Sequence, residues 1–219
     1  MIVINLKTYR EVTQNDHVIE LAQICQQVFE QYHVSIVLCV QATDITEVAK
    51  FVTIPVFAQH IDPIEPGKNT GFISGFAAKQ AGATGVMINH SEHRIGDENI
   101  RKTMQIAKQN GLQTLLCVEN AAEAQRLIDS QPDIIALEDP ILIGGNVSIV
   151  TNDEGKQKVQ EFVNLHLPTK CLVGAGVKDG NDVKVSMEMG ANGVLIASGF
   201  DLASDPKTVL EDLCKGFTI

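Results

Sequence analysis

Apolar, β-branched runs recur along the chain and alternate with amphipathic segments. The runs are continuous, a pattern typical of parallel strands that are buried on both faces. They predict strands at Ile2–Asn5, Val34–Val40, Ile54–Ala58, Gly85–Asn89, Leu112–Val118, Ile134–Leu137, Cys171–Val173 and Val194–Ala197. The intervening segments carry apolar residues at helical spacing, as in Val18, Leu21, Cys25 and Val28. The chain is therefore predicted to be an α/β protein.

Eight strands alternating with helices leave two architectures, a closed eight-stranded barrel and a doubly wound open sheet. The nucleotide-binding open sheet has a G-x-G-x-x-G motif after its first strand, and this sequence has none there. No linker or low-complexity tract divides the chain. We therefore predict one barrel domain over residues 1–219.

Composition and charge narrow the class of partner. Hydrophobic residues make up 44% of the 219 residues and charged residues 20%, as in ordinary globular proteins. The formal net charge of −10 argues against nucleic acid or an anionic membrane as a partner. The five cysteines form no C-x-x-C pair, and no apolar run is long enough to span a bilayer. We expect buried thiols in a cytoplasmic protein.

Reactive side chains follow three of the predicted strands. They lie in Asn5-Leu6-Lys7, in His90-Ser91-Glu92, and at Glu138. Parallel strands of a barrel end at one rim, so a lysine, a histidine and a carboxylate should meet there. Such a trio suits proton transfer next to a carbonyl group: the lysine supplies positive charge, a neutral histidine polarises an oxygen, and the carboxylate removes a carbon-bound proton.

Simpler interpretations exist for these residues. Lys7 taken alone is an ordinary solvated residue at a strand end. His90 and His93 have the spacing of metal ligands, but they fall in a turn, and no cysteine or paired carboxylate nearby completes a zinc site. We therefore predict no metal.

Two small-residue loops predict a phosphate site. Gly174-Ala175-Gly176 follows the seventh strand, and Ala197-Ser198-Gly199 follows the eighth. Small residues let backbone N–H groups approach an anion closely, and adjacent loops of this kind occur in many phosphate-binding barrels. The stretch from Pro140 to Asn146 is apolar and then Gly-rich, which is typical of a mobile lid.

Together these residues closely resemble the triosephosphate isomerase family in its short archaeal form. The resemblance runs from Asn5-Leu6-Lys7 through Ala58-Gln59-His60, Thr70-Gly71, Asn89 to Arg94, Glu138, Ile143-Gly144 and both glycine loops, and so covers nearly the whole chain. It implies a (β/α)8 TIM barrel that interconverts dihydroxyacetone phosphate and D-glyceraldehyde 3-phosphate without a cofactor, in glycolysis and gluconeogenesis.

The resemblance also implies the role of each residue. His90 is the electrophile, Glu138 the base, and Lys7 and Asn5 contact the substrate, with Glu92 supporting the lysine. Ile143, Gly144, Gly174, Ala175, Gly176, Ala197, Ser198 and Gly199 bind the substrate. A homodimer or homotetramer is implied, in which Thr70 of the third loop lies near Asn5 and Lys7 of another subunit.

Two departures fall in the lid. Asp139 stands where the family usually has proline, and the lid is about one residue short. The Asp139 carboxylate is expected either to face the site and repel Glu138 or to face solvent. Two alternative functions remain open at this point: another phosphate-binding barrel enzyme, and a degenerate barrel that binds triose phosphate without catalysis.

Overall fold

The computed structural model describes residues 1–142, 145 and 147–217, the side chain of Asn15 excepted. Its parallel strands pair in sequence order, and β1 pairs with both β2 and β8, so that the sheet closes into a barrel. The strands are β1 (Ile2–Asn5), β2 (Ile36–Val40), β3 (Val56–Ala58), β4 (Gly85–Ile88), β5 (Gln113–Val118), β6 (Ile134–Glu138), β7 (Lys170–Gly174) and β8 (Gly193–Ile196). The predicted (β/α)8 barrel is confirmed.

Helices follow the strands and cover the outside of the barrel. They are α1 (Arg10–Thr13), α2 (His17–Tyr32), α3 (Ile45–Phe51), α4 (Gly75–Gln80), α5 (Gly96–Gln109), α6 (Ala121–Leu127), α7 (Asp153–Val163), α8 (Gly180–Glu188), α9 (Ser198–Asp201) and α10 (Pro206–Lys215), with 3₁₀ turns at Gln14–Asp16 and Ile128–Ser130. Within the described ranges, no helix is both long and apolar enough to cross a membrane.

The alternation of side chains along each strand produces two buried layers. One fills the barrel interior and includes Val3, Cys39, Phe57, Met87 and Leu115. The other lies between the strands and the helices and contains most of the remaining buried apolar residues. Burial of each large apolar side chain stabilises the fold by about 1.5–3 kcal/mol. Polar residues at the inward-facing strand ends therefore lie at the barrel mouth, above a packed interior.

Strand boundaries differ from prediction by one or two residues. The third strand begins at Val56 rather than Ile54, because Pro55 has no N–H to donate and contributes only its carbonyl, which accepts from the Leu38 amide at 3.0 Å. The sixth strand extends to Glu138, which pairs in register with Gly174 of β7. The predicted base is thus held by the sheet itself.

Candidate active site

Lys7 lies just past β1 in a strained backbone conformation. Its φ of 45° is in the left-handed region, which a residue with a side chain seldom adopts. The Lys7 amide donates to Asn5 Oδ1 at 3.1 Å, and Gln59 Nε2 donates to the Lys7 carbonyl at 2.9 Å. Lys7 Nζ reaches Glu92 Oε1 at 2.6 Å. These contacts fix the lysine ammonium at the barrel mouth.

His90 follows β4, and its ring is buried. The Glu92 amide donates to His90 Nδ1 at 3.2 Å. A nitrogen that accepts an N–H bond carries no proton, so this network assigns the ring proton to Nε2 and makes the imidazole neutral. The dipole of the next helix would also disfavour a charged ring, but that helix, α5, begins only at Gly96. The Glu92 amide is the closer cause.

Glu138 ends β6 and points into the barrel mouth. Its side chain is 5% exposed, and its Oε2 lies 3.4 Å from His90 Nε2. Among the described residues, Oε2 has no hydrogen-bond partner. Gly174 leaves room for this side chain, since a Cβ there would lie 3.1 Å from Glu138 Cγ. The carboxylate is therefore buried and held in place at the barrel mouth, with one oxygen available to take a proton.

Two thiols from the barrel interior flank the same carboxylate. Burial raises the pKa of Cys117 well above its usual value, and the Glu138 charge adds to this shift. Burial and then Glu138 also raise the pKa of Cys39. All five cysteines are buried as free thiols. The thiols near Glu138 are therefore neutral packing groups.

A cavity of about 240 Å³ joins Lys7 and Glu138 to the two glycine loops. Lys7 and Glu138 line it together with Ala175–Lys178 and Ala197–Gly199. Ala175 and Gly176 have positive φ of 76° and 73°, and these small residues leave the backbone amides of this turn open to an anion. Gly174, which was expected to bind the substrate, does not line this cavity. This end of the cavity has the backbone character of an anion site.

A second cavity of about 290 Å³ lies on the other side of Lys7, where Asn5, Gln59, His60, His90 and Glu92 line it. His93 lines it as well, with its ring packed on that of His60 at 4.3 Å between centroids. Burial lowers the pKa of His60, against the opposing effect of Asp62. Thr70 is exposed in the loop after β3 and does not line this cavity of its own chain.

The arrangement combines four chemical capabilities around two cavities that share Lys7. A fixed ammonium and a neutral Nε2–H can stabilise negative charge that develops on an oxygen. A buried carboxylate beside them can exchange a proton with carbon. Backbone amides at the far end can hold an anionic group. Proton transfer next to the carbonyl of a small anionic substrate needs all four.

Comparison with known proteins supports this chemistry. Residues 1–215 match the family model described as triosephosphate isomerase. The chain belongs to the triosephosphate isomerase family. It is 38% identical to the triosephosphate isomerase of Methanothermus fervidus, over 97% of this chain and 96% of that protein. It is also 38% identical to the one from Methanosarcina barkeri, over 98% and 97%.

A solved structure supports the fold. The crystal structure of triosephosphate isomerase from Bartonella henselae is similar with a TM-score of 0.75 and 21% identity, over 100% of this chain and 98% of that one. At that identity the likeness concerns the barrel alone. Family membership therefore rests on the sequence matches, and the geometry of the site is that of this chain's own residues.

The site residues expected from the resemblance divide between the two cavities. The first is lined by Lys7, Glu138, Ala175, Gly176, Ala197, Ser198 and Gly199. The second is lined by Lys7, Asn5, His90 and Glu92. Glu92 lies where a support for the lysine would be, and Asn5 Oδ1 accepts from the Lys7 backbone rather than opening toward the first cavity. Ile143 and Gly144, the predicted lid contacts, lie outside the described residues.

Three residues near the site were not predicted to have a role. Gln59 belongs to a quoted family motif, and it donates to the Asn5 side chain and to the Lys7 carbonyl. Lys158 of α7 pairs with Asp139 at 2.6 Å, so the Asp139 carboxylate faces neither the site nor open solvent. Asp201 is a buried carboxyl in α9, without a partner among the described residues. Only Gln59 could have been found from the sequence, through that motif, because the surroundings of Lys158 and Asp201 depend on tertiary packing.

Proposed function

We propose that this site interconverts dihydroxyacetone phosphate and D-glyceraldehyde 3-phosphate, the reaction of its family, by proton transfer through an enediolate. The observation that carries the proposal is the buried Glu138 carboxylate, 3.4 Å from His90 Nε2 in a cavity shared with Lys7. The chain is an enzyme of the aldose–ketose isomerase class. No cofactor takes part in the proposed reaction.

Each step of the proposed reaction is assigned to particular residues of the site. The phosphate occupies the end of the first cavity beside the loops Gly174–Gly176 and Ala197–Gly199. Glu138 removes the proton from the carbon next to the carbonyl. His90 Nε2–H and the Lys7 ammonium stabilise the oxygen as it gains charge. Glu138 then returns the proton to the neighbouring carbon, which completes the isomerisation.

A coupled assay tests the function and the base together. The purified chain is supplied with dihydroxyacetone phosphate, and glyceraldehyde 3-phosphate is followed through a dehydrogenase. Glu138→Gln should lower kcat by about 10²–10⁴, with little change in KM, because a base acts in the transition state. Glu161→Gln removes an exposed carboxylate on α7 and serves as the matched control. A Glu138→Gln enzyme that keeps more than about a tenth of the rate would contradict the assignment.

The same assay separates the alternative functions. Another phosphate-binding barrel would bind a phosphate ester at the glycine loops without isomerising triose phosphates. A degenerate barrel would bind triose phosphate and turn none over. The support for an active isomerase is that Glu138 lies 3.4 Å from His90 and that both residues border cavities lined by Lys7.

We also propose that the protein self-associates as a homodimer or homotetramer in the cytoplasm and that the chain forms one domain. The second cavity borders Lys7 and His90, and no described residue of its own third-loop tip lines it. Thr70 of another copy would fill this space. Phe72, in the same loop, is 56% exposed and would be covered by that contact. The five free thiols suit a reducing compartment.

A further inference from the structure

Two consecutive carboxylates end β6 and turn to opposite sides of the sheet. Ile134 and Ala136 pack inside the barrel, whereas Ile135 and Leu137 pack against the helices. Glu138 continues the inward series and Asp139 the outward one. Both side chains are buried, at 4% and 5% exposure of the whole residue. The proposed base therefore has a second buried carboxylate as its direct neighbour in the chain.

The outward carboxylate has a specific set of partners. Lys158 Nζ of α7 donates to Asp139 Oδ2 at 2.6 Å, and the Ile141 amide donates to Oδ1 at 3.1 Å. The Leu142 amide donates to the Asp139 carbonyl at 3.0 Å. Lys158 thus joins the turn that follows the base to the helix behind it.

Lys158 lies between a buried and an exposed carboxylate. Its ammonium is 3.0 Å from Glu154 Oε1, and the Glu154 side chain is 79% exposed. The hydrogen bond to Asp139 is the largest cause that raises the pKa of Lys158, followed by that to Glu154. A pair with an exposed partner contributes little, whereas a cation on a buried carboxylate offsets a large desolvation penalty. The contact with Asp139 is therefore the important one.

We propose that Lys158 is a positioning residue for the isomerisation: its ammonium neutralises Asp139 and holds that carboxylate on the α7 side, so that Glu138 works beside a compensated charge. The inference rests on the proposed role of Glu138 as base. The residue acts through Asp139 and is not expected to touch substrate.

The charges around Glu138 determine the direction of the effect. His90 faces it at 3.4 Å, the neutral thiols of Cys39 and Cys117 face it from β2 and β5, and the lysines Lys7 and Lys178 line its cavity. Lys7 is itself paired with Glu92. Without Lys158, the Asp139 negative charge is uncompensated, and a like charge nearby favours the protonated form of a carboxylic acid. Glu138 would then become an active base only at higher pH.

Lys158→Met tests this in the full-length enzyme. The acid limb of kcat/KM should move to higher pH by about 0.5–1 unit. Lys158→Arg keeps the charge and should keep the wild-type limb. Glu154→Gln removes the exposed partner of the same lysine and is the matched control, with no expected shift.

A double variant separates charge from packing. Lys158→Met with Asp139→Asn removes both charges, while the asparagine Oδ1 still accepts from Ile141, so the acid limb should return to its wild-type position. Lys158→Gln is a second neutral variant, with a donor for Asp139, and should shift the limb in the same direction as Lys158→Met. Circular dichroism checks that each variant is folded.

Two outcomes would overturn the proposal. One is a folded Lys158→Met or Lys158→Gln enzyme with an unchanged acid limb. The other is a shift that persists in the double variant, since it would then arise from lost packing. Failure of the proposed function would look different, because wild type and Glu138→Gln would then have equal activity.

Discussion

The His90 ring is expected to be neutral with its proton on Nε2, because the Glu92 amide occupies Nδ1. A protonated ring would place two donors against each other at that nitrogen. Nitrogen NMR of ¹⁵N-histidine protein between pH 6 and 8 should show an accepting Nδ1 and a protonated Nε2 for this residue. His33 is exposed and provides the comparison in the same spectrum. A His90 signal typical of imidazolium, or of the Nδ1–H tautomer, would contradict the assignment.

Asp201 should make stability fall as pH rises. Burial raises the pKa of this carboxyl to about 8, and the nearby Lys7 charge opposes the shift. An unfolded aspartate has a pKa of about 3.9, so the native state holds the proton more tightly. The stabilising effect of that proton is complete below about pH 4 and is lost as pH rises to about 8.

Asp201→Asn removes this dependence. Wild type should lose unfolding free energy between pH 5 and pH 8, and the variant should not. The difference, variant minus wild type, should therefore increase by on the order of 3 kcal/mol over this range, measured by urea denaturation. Asp205→Asn is the control, because hydrogen bonds from Thr208 lower the pKa of that exposed cap. The effect of Asp205→Asn should be the same at both pH values. A constant difference for Asp201→Asn would show that its carboxyl is ionised throughout.

Sequence could identify the site residues that lie at strand ends, but not those whose role depends on a contact formed in the folded chain. Lys7, His90 and Glu138 were predictable, because each directly follows or ends an apolar strand and parallel strands end at one rim. Asp139 was recognised only as a departure from the family pattern. Its partner Lys158 lies 19 residues away on a helix, where an i,i+4 pair with Glu154 has the appearance of an ordinary solvated pair.

At the scale of elements, the loop after β7 depends on Gly176. Its φ is +73°, and an ideal Cβ would lie 2.1 Å from the Val147 carbonyl oxygen. Gly176→Ala must therefore displace backbone in two segments at once. We expect a loss of unfolding free energy of roughly 1–3 kcal/mol and a higher KM, since the same loop lines the proposed phosphate end.

Gly199→Ala gives the matched control for stability. Gly199 lies in the first turn of α9, directly after β8, and an added Cβ there would meet its nearest neighbours at 3.8–3.9 Å, an ordinary van der Waals distance. Thermal unfolding of the two variants should separate them clearly. Equal melting temperatures would mean that the Val147 segment yields without cost.

Element types were predicted well because the strands are apolar on both faces and the helices are not. The boundaries depended on hydrogen bonding that composition does not reveal. The second strand was predicted from Val34, yet it begins at Ile36. Glu138 reads as the residue after a strand, yet its backbone still pairs with β7. A polar side chain at a barrel mouth does not end the strand that carries it.

At the scale of the molecule, closure of the barrel is what makes the site. The bond between Lys7 and Glu92 joins residues 85 positions apart, and His90 and Glu138 meet across β5. The alternation of elements predicted eight parallel strands, and the missing G-x-G-x-x-G motif favoured a closed barrel over an open sheet. A contact between two copies of the chain has no such signal, because exposed loop residues follow no periodicity.

The protein is expected to self-associate through the loop that carries Thr70 and Phe72. Light scattering should give a mass at least twice the 23.8 kDa of one chain. Phe72→Asp places a charge in the exposed loop beside Thr70 and should lower both the mass and the activity, because the cavity next to Lys7 loses its expected occupant. Phe51→Asp is the control: Phe51 is 49% exposed on α3, and Phe72 is 56% exposed. A fully active monomer at assay concentration would show instead that one chain completes the site by itself.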